Sequence, residues 1–151
     1  MKRVLFIDVR NATRSQIAEA WFNHVSGSRA RACSCGTLPA KRVAGRATLV
    51  MAELGIDLRC ECPKSITPGL LNRADIVVIM GSGIFPRVGV PTRVWNFEDP
   101  TGKPIAAVRD LRDQICQRVN QLVSEIAADD LALQGPEWNK LLLRNYERVW
   151  N

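Results

Sequence analysis

Residues 4–19 read VLFIDVRNATRSQIAE: an apolar run, a short polar loop, then Arg14-Ser15 at the opening of a helical period. A strand that turns directly into a helix points backbone N–H groups into the turn, and the helix dipole adds partial positive charge there. Arg14 contributes a planar guanidinium suited to two oxygens of a tetrahedral anion. Asn11 and Ser15 are short hydrogen-bonding side chains of the kind that brace such a loop. The residue ending the strand, where an attacking group would sit, is Asp8. A carboxylate therefore stands at the mouth of a turn shaped for negative charge.

Working outward from that loop, apolar runs and helical periods alternate. Residues 3–8 read as a strand, and residues 15–25 as a helix with Ile17, Ala18, Trp21 and Val25 on one face. Residues 29–35 form a second strand. Residues 41–54 form a helix through Val43, Ala47, Val50, Met51 and Leu54, stopped by Gly55. Thr67 is placed to cap a short helix with Pro68 at its first position. Residues 75–80, DIVVIM, predict a strand buried on both faces. Residues 93–96 predict a fourth strand and residues 104–127 the longest helix. This alternation predicts an α/β fold, a four-stranded parallel sheet with helices on both faces. Ligands of such sheets bind at the carboxyl ends of the strands, which is where the loop at 8–15 falls.

The chain has 151 residues, 46% hydrophobic and 24% charged, enough for one self-sufficient core. No N-terminal apolar run is long enough for a signal peptide or a membrane span, so a cytoplasmic protein with no membrane partner is expected. Net charge is +6, and residues 1–46 hold nine Lys/Arg against two acids. A positive field of that kind favours an anionic ligand. With no basic run interleaved with aromatics, nucleic acid is not expected. His24, the only histidine, is expected at a helix end, and Cys116 in packing. After Asp129-Asp130 a Gly135-Pro136 break precedes a second helical pattern with Trp138, Tyr146 and Trp150 on one stripe. This divides the chain into a domain at 1–130 and a C-terminal helical tail at 131–151 that is not an independent domain. The stripe suits docking on the core, on a second copy or on a protein partner.

The stretches VLFIDVRNATRSQIAEAWFNH, ACSCGT, LGIDLRCECPKSIT, ADIVVIMG, WNFEDPTGKP and VRDLRDQI together resemble the low-molecular-weight protein tyrosine phosphatases. Within that family the likeness is to the thioredoxin-coupled arsenate reductases, and it spans residues 3 to about 127. The resemblance implies a Rossmann-type sheet and a signature of Cys, five residues, then Arg-Ser, in which the Cys attacks phosphorus or arsenic. By position, Arg14 and Ser15 match the binding pair, Asn11 the bracing Asn, and Asp99-Pro100 the general-acid loop. Asp8 falls where the family has its nucleophilic Cys, and Arg10 where it has Gly. The segment MGSGIFPRVG has no cysteine where the reductases carry their relay thiols. Arg10 would then pair with Asp8 and close the pocket with its own ions.

Three functions follow as expectations. The first is a pseudoenzyme with a residual oxyanion-binding loop (Arg14, Ser15, Asn11, Arg10) for phosphate, arsenate or sulfate, in a binding or regulatory role. The second is an enzyme using Asp8 and Asp99 with a cation. The third is a thiol-redox or zinc protein centred on Cys33-Ser34-Cys35 and Cys60-Glu61-Cys62, which the resemblance brings together beside the loop. Alternation along a strand also places Cys33 and Cys35 on one face, which buried free thiols satisfy equally well. The first two need no bound cofactor beyond that cation.

Overall fold

The computed structural model describes the backbone of residues 1–83 and 85–150 and the side chains of residues 1–83 and 85–132. Its elements run β1 (Lys2–Asp8), α1 (Arg14–Val25), β2 (Ala30–Gly36), α2 (Gly45–Ala52), α3 (Pro68–Arg73), β3 (Ile76–Met80), β4 (Thr92–Trp95) and α4 (Ile105–Trp150). The four strands form one parallel sheet in the order β2-β1-β3-β4. From β1 the chain steps one way to β2 and then crosses back to β3, so the carboxyl end of β1 faces the switch point where α/β sheets open a crevice.

The middle of β1, residues 4–7, is apolar because both of its faces are covered. Val4 and Phe6 pack with Ile17 and Phe22 of α1, Val50 and Met51 of α2, and a stripe of α4 running from Val108 to Ile126. Leu5 and Ile7 turn the other way, onto Val77, Ala74 and Cys35, with Leu70 and Leu71 of α3 closing that side. All four β1 side chains are 2% exposed or less. Each such burial is worth about 1.5–3 kcal/mol, which anchors the strand that carries the loop. Across the larger face, Arg109 and Arg112 of α4 both reach Glu53 at the end of α2, at 2.8 and 2.6 Å.

The α/β architecture and its parallel sheet are as the sequence predicts, and two helices differ. The predicted helix at 41–54 begins only at Gly45. Ala40 and Ala44 instead give their N–H groups to the carbonyls of Arg10 and Ala12, so residues before α2 are spent tying down the loop. The break expected at Gly135-Pro136 is absent: α4 is one helix from Ile105 to Trp150. A proline removes one rung of the helical ladder, and the turns on either side carry the helix past it. The aromatic stripe of Trp138, Tyr146 and Trp150 lies outside the residues whose side chains are described. Thr67 caps α3 as expected, its Oγ1 accepting from the Leu70 N–H at 3.2 Å. His24 is exposed near the end of α1 and Cys116 is buried. Among the described residues no helix is long and apolar enough to cross a membrane.

Candidate anion-binding site

The loop between β1 and α1 is built around two buried polar residues, Asp8 and Asn11. Asp8 Oδ1 accepts the Asn11 N–H at 2.5 Å and Oδ2 accepts the Ser15 N–H at 3.1 Å. Both carboxylate oxygens are thus satisfied by the turn that Asp8 begins. Burial nevertheless pushes its pKa above the ordinary 3.8, against the pull of those donors and of Arg14.

Asn11 takes a left-handed backbone, φ 51°, which Asn tolerates better than most residues. Its Nδ2 donates to Ser15 Oγ at 2.8 Å and Ser34 Oγ at 2.9 Å, while its Oδ1 accepts the Lys64 N–H at 2.8 Å. Gln16 Nε2 adds a contact to the same Oδ1 at 3.2 Å. Ser34 in turn donates to Glu19, whose carboxylate meets Lys64 Nζ at 3.4 Å. One amide side chain therefore joins the loop, β2 and the segment before α3. Gly36 makes the close approach feasible, because a Cβ there would lie 2.6 Å from the Val9 carbonyl oxygen.

Arg14 is nearly buried, 9% exposed, and its Nη1 donates to the Phe97 carbonyl at 2.9 Å. Its guanidinium crosses the face of Gly81, where any Cβ would collide with Nη1. The glycine immediately after β3 thus leaves space for the arginine.

Above the loop opens a cavity of about 310 Å³ whose charged lining is Asp8, Arg10, Arg14, Arg42, Arg46 and Asp99. Asp99, predicted as the acid, does face this cavity. Thr101 holds its pKa below the ordinary 3.8 through its hydroxyl at 2.7 Å and its N–H at 3.0 Å, with Arg14 and Arg10 adding to the effect. The amides of Ala12, Thr13 and Arg14 find no acceptor within the protein among the described residues, as expected at a helix N-terminus.

The expected ion pair between Arg10 and Asp8 does not form. Among the described residues Asp8 has no cation within salt-bridge distance, and Arg10 is exposed at the cavity wall. The physical reason is local: Asp8 points under the turn, where backbone amides reach it first. Nothing in the local sequence around Arg42 and Arg46 marks them as site residues. The signal that points to them is the basic surplus of residues 1–46.

Among the described residues no group of three or more His, Cys, Asp or Glu side chains is placed to hold an ion. Cys35 is buried on β2, Cys33 is half-buried, and Cys60 and Cys62 are exposed in the loop before α3. Burial pushes the Cys35 thiol up to about 12 and raises that of Cys33, opposite to the shift of an activated thiol.

A parallel four-stranded sheet with an arginine-bearing strand-to-helix loop at its switch point defines an α/β fold of the low-molecular-weight phosphatase type. Residues 3–132 match the low molecular weight phosphotyrosine protein phosphatase family, to which this chain belongs. Among its relatives, the glutaredoxin arsenate reductase of Synechocystis is 32% identical over 132 residues, covering 84% of this chain and all of that protein. A solved arsenate reductase in the phosphate binding state is 30% identical, with a TM-score of 0.78 over 83% of this chain and 99% of the other. The arginine phosphatase of Geobacillus stearothermophilus shares the fold, with a TM-score of 0.80, 23% identity, and 87% and 97% coverage.

Proposed function

We propose that this protein is a degenerate member of the phosphatase and arsenate reductase family, in which Asp8 stands at the nucleophile position. The loop survives as an oxyanion-binding element in a binding or regulatory role. The observation that carries this reading is the engagement of both Asp8 oxygens by the Asn11 and Ser15 amides. An attacking group must present a free electron pair of high nucleophilicity. A carboxylate is far weaker than a thiolate, and these hydrogen bonds weaken it further. What remains for an oxyanion is Arg14, the outer amides of Ala12, Thr13 and Arg14, and the arginines of the cavity wall.

A second reading has one observation in its favour: Asp8 and Asp99 line the same cavity, so a divalent cation between them would offset their charges and permit hydrolysis. Hydrolysis of an aryl phosphate by the native protein and by Asp8→Cys, with and without Mg²⁺ or Mn²⁺, separates the two. The expected result is no turnover by the native protein in any condition and measurable turnover by Asp8→Cys, whose thiolate would inherit the two amide donors. Cation-dependent turnover by the native protein, lost in Asp8→Ala, would establish the hydrolase instead.

A further inference from the structure

The cavity is electrically uneven. Asp8 is part of its lining, and Asp99 stands within the field of Arg14 and Arg10. Arg42 lines it from the segment leading into α2 and Arg46 from the first turn of α2, and among the described residues neither meets a carboxylate within salt-bridge distance. Four arginines against two aspartates leave the lining positive even with both carboxylates ionised. One of those four, Arg14, is partly spent on the Phe97 carbonyl. Gly45, the first residue of α2, also lines the cavity, and no side chain caps that helix.

These charges exceed what one oxyanion at the loop requires, and Arg42 and Arg46 come from a different segment of the chain, lining the same cavity. Arginine guanidinium groups suit carboxylate and phosphate because each presents paired donors to paired oxygens. A cavity of about 310 Å³ lies at the small end of ligand pockets, which suits a compact molecule rather than a polymer. We propose that Arg42 and Arg46 form a second anionic subsite, so that the pocket selects a small organic phosphate bearing a second acidic group. Its phosphate lies on Arg14 and the outer loop amides, and its distal carboxylate or phosphate lies on Arg42 and Arg46. This rests on the oxyanion-binding reading of the loop and names the ligand class for it.

The test is calorimetric titration at low ionic strength, where screening is weakest. The probes are phosphoglycolate, ethyl phosphate and inorganic phosphate. Phosphoglycolate and ethyl phosphate share a phosphomonoester and differ in the second anion. The native protein is expected to bind phosphoglycolate at least tenfold more tightly than ethyl phosphate. That ratio should collapse towards one in Arg42→Gln/Arg46→Gln. It should persist in Arg31→Gln/Arg73→Gln, which removes the same charge at the opposite end of the sheet. A ratio near one in the native protein, a ratio that survives loss of Arg42 and Arg46, or an equal collapse in the distant variant overturns the second subsite while leaving the loop reading intact. Failure of all three probes to bind the native protein removes the loop reading and the subsite with it.

Discussion

Asp8 Oδ1 accepts the backbone N–H of Asn11 at 2.5 Å, so the residue that ends β1 holds shut the turn that follows it. The same carboxylate takes the Ser15 N–H at 3.1 Å, and the loop is closed around its own anion. The cost of that arrangement is the burial of a charge, which pushes the Asp8 pKa up.

Because burial raises the Asp8 pKa above 3.8, the folded protein holds this proton more tightly than the unfolded chain does. The stability that Asp8 contributes is therefore complete below about pH 3.8 and is lost as pH rises through the folded-state value. Urea midpoints for the native protein and Asp8→Asn, compared across that window, should diverge with this sign: the native protein loses ground to the variant as pH increases. A difference independent of pH would show that the loop amides fully offset desolvation.

Glu53 behaves in the opposite sense. Hydrogen bonds from Arg109 and Arg112 draw its pKa down from 4.5 to about 2. Its contribution is present above about pH 4.5 and vanishes as pH falls through about 2. Glu53→Gln should lower the thermal midpoint slightly at neutral pH, as solvent screens this exposed group, with the gap closing towards pH 2. The Arg112 head group, which also donates to the Val50 carbonyl at 2.7 Å, keeps α2 attached to α4 in the variant.

Two glycines are expected to separate stability from binding. Gly36→Ala forces a methyl against the Val9 carbonyl at 2.6 Å and Asn11 at 3.1 Å, costing about 2 kcal/mol in overpacking as read by denaturant unfolding. Gly81→Ala strains a φ of 115° and displaces the Arg14 guanidinium. Its main effect should be a severalfold loss of phosphate affinity in titration. Unchanged phosphate affinity in Gly81→Ala would show that Arg14 is not a ligand.

The cysteines should react according to exposure. With its thiol near 12, Cys35 is protonated at neutral pH, as is Cys116 near 11. Iodoacetamide followed by mass spectrometry should therefore label Cys60 and Cys62 quickly, and Cys35 and Cys116 only on unfolding. Rapid labelling of Cys35 in the folded protein would revive a redox role for β2.

Much of this architecture is legible in local pattern. The apolar residues of β1 and β3 announce strands covered on both sides, and Thr67-Pro68 announces a helix start, because neighbours in sequence carry the physics. The start of α2 was not legible: the residues before it donate to Arg10 and Ala12, which lie some thirty residues earlier in the chain. Nor was the uninterrupted course of α4 past Gly135-Pro136, since local composition there favours a stop.

The order of residues 4–19 alone marked a strand ending at Asp8, a short polar loop and a helix opening at Arg14-Ser15. Those features are local, set by backbone geometry and residue type. Only the tertiary structure decided what Asp8 does there. Arg10 is nearer in sequence than Ser15, yet the carboxylate turns beneath the loop and takes backbone amides while Arg10 faces the cavity. The partners of a buried charge are chosen by what the packed chain brings within three ångströms, and sequence separation does not record that distance.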